Sequence, residues 1–474
     1  MKKATCLRLL IVTAIVLVAS VIVESCGSAT YPTSRPLGQT STAEGPAVQK
    51  NVYLGSHQVV YKLNGRDGSV IWKQALTRSV PLDISAASHF GIHVVDGVLY
   101  AFMDQDFYAF NASSGQEIWR QHIVPAGSLT TENLRISNEV IDNGVIYLEH
   151  ANSTISARSA RGGTELWSNY TIQGAFFVAR GAVYARVYSE TGQASSLYAF
   201  DGATGRLRWH FTEQGYFRGD VSAENGVVYD SGNALYALNE QTGQLIWTQK
   251  LPYNNQFFIS PQVVDGVLYA STGGMFATMG GGSQPDSSDY FHVYAFDART
   301  GSLLWRSAPG YKRMDWIPIT DQVIVAARNN DDHTTVTLSA FDAQHGKTLW
   351  NTSVASLCTA GGCDNPWIDL ASNTLYVVGG GSSQQLEAFD VRTGKKLFEH
   401  ALSFTQAVFD HGGVSNGTAY VLTGTGWNST TGTPGTAQRT VEAFSLSTGV
   451  HSWQFKPGAL KGYQDAISPL ILAV

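Results

Sequence analysis

Past residue 50 the chain runs as short apolar segments broken by small polar turns, and one stretch shows the unit in full. Phe258-Ile259-Ser260-Pro261-Gln262-Val263-Val264 is followed by Asp265-Gly266 and then by Val267-Leu268-Tyr269-Ala270. Asp-Gly between two such runs predicts a tight antiparallel hairpin, because both turn residues must take positive φ and these two do so most readily. A variable loop leads to a third run, Val293-Tyr294-Ala295-Phe296, which ends in Asp297-Ala298-Arg299-Thr300-Gly301. There the Asp side chain can bond to its own following backbone and the Gly can turn left-handed. A fourth run ends on Trp305. The unit predicts four antiparallel strands.

The same grammar recurs along the chain. A Gly followed four residues later by Trp or Phe stands at Gly68/Trp72, Gly115/Trp119, Gly163/Trp167, Gly205/Trp209, Gly243/Trp247, Gly301/Trp305, Gly346/Trp350, Gly394/Phe398 and Gly449/Trp453. Four strands per repeat, with repeats of roughly 45 residues, is the signature of a propeller blade. The nine aromatic residues are expected to fill the wedge between neighbouring blades, and so to be structural. The first unit starts at Asn51-Val52-Tyr53, already at its second strand, and the chain ends Ala466-Ile467-Ser468-Pro469-Leu470-Ile471-Leu472, which mirrors Ile259-Ser260-Pro261. The last strand should therefore complete the first blade and close the ring, removing two open sheet edges. A length of 474 residues would by itself suggest several domains. The repeat overrules that expectation, giving one all-β, closed propeller over residues 51–474.

Composition agrees. Only 14% of residues are charged, aromatics make up 11%, and there are 48 glycines. Such a chain is neither disordered nor collagen-like, and a net charge of −6 leaves no electrostatic footprint for nucleic acid. Lys2, Lys3 and Arg8 precede the apolar run Leu9–Val23, the layout of a secretory signal over residues 1–25. Residues 26–50 hold almost no large apolar side chain and should form a flexible tether. Cys358 and Cys363, with Gly361 and Gly362 between them, can close a small disulfide loop in an oxidising compartment.

Two resemblances bear on function. Val23-Glu24-Ser25-Cys26-Gly27 resembles the lipobox of bacterial lipoproteins, which implies acylation of Cys26; Glu24 departs from the usual residue type. The Ala-X-Asp-X-X-Thr-Gly-X-X-X-Trp pattern is similar to the tryptophan-docking motif of the pyrroloquinoline-quinone-like (PQQ-like) repeat family, which implies eight blades, whereas nine units are present. That family contains quinoprotein dehydrogenases, which hold PQQ and calcium beside a disulfide between adjacent cysteines. It also contains lipoprotein scaffolds resembling the outer-membrane assembly propeller. This chain has no adjacent cysteine pair and no residue that matches the calcium ligands. The expectation is thus an exported, lipid-anchored, non-enzymatic scaffold without a cofactor or metal, binding an envelope or cell-surface protein, a peptide or a glycan. A PQQ-dependent oxidoreductase and a glycan-binding surface protein are the alternatives. Every long excursion falls on one face, as do Trp316, Trp367 and Trp427, so that face is the candidate binding surface. Asp410-His411 is an adjacent acid–His pair on the same list of candidates, although neighbouring strand residues point to opposite faces.

Overall fold

The computed structural model describes residues 50–77, 90–123, 134–169, 176–188, 194–214, 220–251, 256–274, 292–307, 322–329, 335–379, 385–401, 408–425, 438–457 and 471–473, apart from residues 57, 233, 356, 360, 361, 365, 366 and 372. Contacts divide the chain into Met1–Ala43 and Glu44–Val474. All the described residues lie in the second unit.

Nine antiparallel blade sheets follow one another along this unit, eight of four strands and one of three among the described residues, with one further two-stranded hairpin. Blade 1 carries Trp72, and blades 2 to 9 carry Trp119, Trp167, Trp209, Trp247, Trp305, Trp350, Phe398 and Trp453 on their outer strands. The eight blades implied by the family resemblance are therefore corrected to nine, because every repeat in the sequence forms its own sheet. The ring closes as the sequence predicts. Asn51, Val52 and Tyr53 pair with Ala473, Leu472 and Ile471, so the final strand is the innermost strand of blade 1. The first strands of successive blades lie against one another around the inside, and the fourth strands form free outer edges.

Each blade reverses by the turns the sequence calls for. Asp96-Gly97, Asn143-Gly144, Asn225-Gly226, Asp265-Gly266 and Asn416-Gly417 all have positive φ at both residues, the geometry that matches strand twist in a two-residue hairpin. In the third-to-fourth turn, the Asp297 Oδ1 accepts from the Thr300 amide at 2.7 Å and its hydroxyl at 2.8 Å. Asp201, Asn239 and Asp390 hold Thr204, Thr242 and Thr393 in the same way. These bonds favour the ionised carboxylate, so Asp297 and Asp390 sit below the ordinary range, with the threonine hydroxyl the largest cause.

The core is a series of inter-blade layers. Trp209, Trp247, Trp305, Trp350 and Trp453 are buried and Trp72, Trp119 and Trp167 half-buried. Each indole donates to a carbonyl in the turn of the next blade: Trp72 to Ala112 at 3.2 Å, Trp247 to Ala298 at 3.0 Å, Trp350 to Val391 at 2.8 Å. At the join of the ring, Trp453 donates to Gly65 of blade 1 at 3.1 Å. The sequence did not single out a second donor to these carbonyls. Tyr53, Tyr100, Tyr229, Tyr269 and Tyr420 send their hydroxyls to the acceptors used by the Trp of the same blade. Burial pushes the Tyr53 and Tyr269 phenols up to about 12, and at Tyr269 the Asp265 and Asp342 carboxylates add to it.

Candidate binding face and inner wall

The two ends of the ring differ in kind. Among the described residues one end carries short turns, and these are locked to each other. The Ala298 amide donates to the Gly266 carbonyl within blade 6, while the Ala298 carbonyl accepts from Trp247 of blade 5. Blades 2, 3, 4, 5, 8 and 9 repeat the internal bond.

The opposite end carries the second-to-third loops and the connections between blades. The strands flanking the excursions are in place: Val267–Gly274 and Val293–Asp297, Val323–Asn329 and Thr335–Asp342, Thr418–Thr425 and Gln438–Ser445. Trp316 and Trp427 lie outside the described residues. Trp367 opens the first strand of blade 8, Trp367–Ala371, directly after the connection from blade 7. That connection holds an extra two-stranded hairpin that the repeat does not predict, Leu357–Thr359 with Gly362–Asp364. Its register sets Cys358 opposite Cys363.

Asp410 and His411 fall on the first strand of blade 9, Val408–Ser415, which carries two register shifts, Val408/Asp410 and His411/Gly413. The bulges interrupt strict alternation around the pair. First strands line the inside of the ring, so the pair belongs to the inner wall rather than to a loop.

The inner wall also holds a pair that the sequence gave no reason to single out. His93, on the first strand of blade 2, and Glu139, on the first strand of blade 3, meet at 3.0 Å through Nε2 and Oε1. His93 is half-buried, while Glu139 is buried. Gly91 makes the contact possible, since a Cβ there would lie 1.7 Å from Glu139 Oε1. Beside them, Asn138 donates to Glu149, whose carboxyl burial pushes above the ordinary range. Deeper in blade 3, His150 Nδ1 lies 3.1 Å from the Leu134 carbonyl and Nε2 2.9 Å from Ser156 Oγ. Burial lowers this imidazole to about 4, so it is neutral, donates to Leu134 and accepts from Ser156. His93 and Glu139 are separated by 46 residues, and only Gly91, off the docking motif, could have signalled the contact. Among the described residues, no group of three or more His, Cys, Asp or Glu side chains is placed to hold a metal ion.

With this architecture on the page, the family follows. A family model described as "Outer membrane protein assembly factor BamB" matches residues 56–191, 193–310 and 289–459. The chain belongs to this PQQ-like repeat family of propellers. More particular likenesses point in two directions. A tetrathionate hydrolase of Acidithiobacillus ferrooxidans is 25% identical over 406 residues, covering 71% of each chain. An outer membrane protein assembly factor BamB of Burkholderia pseudomallei is 21% identical over 299 residues, covering 60% of this chain and 69% of the relative. Among solved structures, a eukaryotic initiation factor aligns over 88% of this chain and 98% of its own, with a TM-score of 0.54 at 8% identity, which is a likeness of fold alone.

Proposed function

We propose that this chain is an exported, lipid-anchored propeller that acts as a scaffold, its loop-bearing face gripping another protein of the cell envelope. Family membership across residues 56–459 carries the reading, and the relatives called outer membrane protein assembly factor support it. On this reading residues 1–25 are removed, Cys26 is acylated, and residues 27–50 give the propeller reach from the membrane surface. Trp367, with Trp316 and Trp427, supplies aromatic contact area, the residue type that dominates protein interfaces. A disulfide between Cys358 and Cys363 braces the hairpin on that face. The scaffold uses neither PQQ nor calcium; titration with both, followed by tryptophan fluorescence, should produce no saturable quenching.

Capture from solubilised envelopes tests the scaffold. The full chain should enrich an outer-membrane assembly component, and a variant with residues 426–437 replaced by a short Gly-Ser link should lose it. Equal recovery on both, or none above bare resin, would overturn the reading.

The hydrolase relative, matched over 71% of both chains, favours a second reading in which the propeller acts on a polythionate. Here the inner wall, with His93 held by Glu139, offers a half-buried imidazole next to a carboxylate, an arrangement suited to general base chemistry. Loss of tetrathionate on incubation with the purified chain, abolished in His93→Gln, would establish it. Unchanged tetrathionate would exclude it.

A further inference from the structure

The inter-blade clusters are mostly apolar, but the seam between blades 4 and 5 also buries a cluster of three charges. Arg186 stands on the second strand of blade 4, Ala182–Tyr188, and Glu213 on its outer strand, Leu207–Gln214. Asp230 stands on the second strand of blade 5, Val227–Ser231. Arg186 Nη1 lies 2.8 Å from Glu213 Oε1, and its Nη2 pairs with Asp230. All three side chains are at most 3% exposed. The position after the second-strand Tyr, which Asp230 occupies, is Leu54, Ala101 and Leu148 in the first three blades and Ala or Val in the others. An acid there is a departure that the fold does not require.

Among the described residues the charges do not balance, since one guanidinium faces two carboxylates. The other described groups that touch the cluster are neutral. Ser195, on the third strand of blade 4, donates to Glu213 Oε1 at 2.9 Å. The Ser231 carbonyl accepts from Arg186 Nη2 at 3.4 Å. The Tyr236 hydroxyl, on the third strand of blade 5, faces Glu213, and its own ionisation is pushed up to about 12 by burial and by that carboxylate. Asp220, at the start of the first strand, is exposed and bonds to Ser231 through its backbone. Gly232 leaves room for the cluster, because a Cβ there would approach Glu213 Oε1 to 3.0 Å. A buried net charge of −1 is costly, and one proton removes it.

We propose that Arg186, Glu213 and Asp230 form a proton-dependent clasp that holds blades 4 and 5 together more firmly in mild acid than at neutral or alkaline pH. With one proton on the carboxyl pair the cluster is neutral and each carboxyl keeps a donor. Loss of that proton leaves two anions sharing one cation in a dry seam. The direction of the Glu213 shift agrees: burial raises it above the ordinary carboxyl range, more than Arg186 and Ser195 lower it. A raised folded-state value gives stability that is full below the unfolded value and lost as pH rises through the folded one. The clasp lies where the second strand of blade 4 runs towards the loop-bearing face, so the proton also sets how firmly the neighbouring loops are footed.

Thermal unfolding of the full chain between about pH 5 and 8 tests this, wild type against Glu213→Gln and Asp230→Asn. Either amide imitates the protonated acid. Both variants should therefore gain on wild type as pH rises, by at least about 2 °C in Tm across the range. An ordinary ion pair predicts the reverse, a loss in both variants that is largest at the alkaline end, and that result would overturn the proposal. Infrared difference spectra of the wild type give a readout that needs no folded variant: the carbonyl stretch of a protonated carboxylic acid, present in mild acid and lost above neutrality. Absence of that band throughout would also sink the clasp.

Discussion

A Trp and a Gly in neighbouring blades are fitted to one another. Gly243 has a φ of 68° and a Cβ there would come within 2.6 Å of Trp209, whereas Gly266 has a φ of 77° with nothing within 4 Å. Both positions strain an L-residue, but only the first also collides with a buried ring. Gly266→Ala should cost about 1 kcal/mol and Gly243→Ala several times that, as measured by denaturant unfolding. The seam between blades 8 and 9 allows the converse experiment. Phe398 has no N–H, and a Cβ at Gly449 would lie 3.1 Å from the ring, tight but looser than at the Trp seams. Phe398→Trp should restore the missing indole bond and stabilise the protein by about 1 kcal/mol. His150 supplies a pH prediction of opposite sense to the clasp. Its folded value is depressed to about 4, so the stability it contributes is full above the unfolded value near 6.5 and is lost as pH falls through the folded one. His150→Gln should flatten the acid limb of the Tm profile between about pH 6 and 4.

At the scale of strands and turns, much was legible in advance. Hairpin turns such as Asp265-Gly266 are written in the sequence because few residues tolerate positive φ in succession, and Trp305 is written there because a wedge needs a ring of fixed size. The last strand could be placed because Ile467-Ser468-Pro469 copies Ile259-Ser260-Pro261. What stayed hidden depends on contacts across seams. Arg186 and Glu213 are 27 residues apart and meet Asp230 only after two blades pack. Tyr53 and its equivalents look like ordinary strand residues until their hydroxyls are seen on the next blade's carbonyls. The Cys358–Cys363 hairpin was invisible as structure because it interrupts the repeat; only the cysteine spacing marked it. Deleting residues 470–474 should expose the inner edge of blade 1, and limited proteolysis should then cut first within residues 51–75.

For the molecule as a whole, each Trp-bearing blade reaches the next through a turn carbonyl, and the last reaches the first by the same bond, from Trp453 to Gly65. Stability is therefore shared around the circle. Chemical denaturation should show one transition by tryptophan fluorescence and by circular dichroism, and Trp209→Ala, costing about 3–5 kcal/mol, should shift both probes together. Two separated transitions would mean that blades unfold in groups.

Closure by residues 471–473 also orders events in time. Synthesis delivers the chain from its N-terminus, so blade 1 waits with one edge unpaired until residues 471–473 have emerged. Eight blades can assemble before that moment, yet the circle cannot. For that interval the nascent protein carries a sticky strand edge, and its fate rests on whether its own tail or another molecule's strand arrives first.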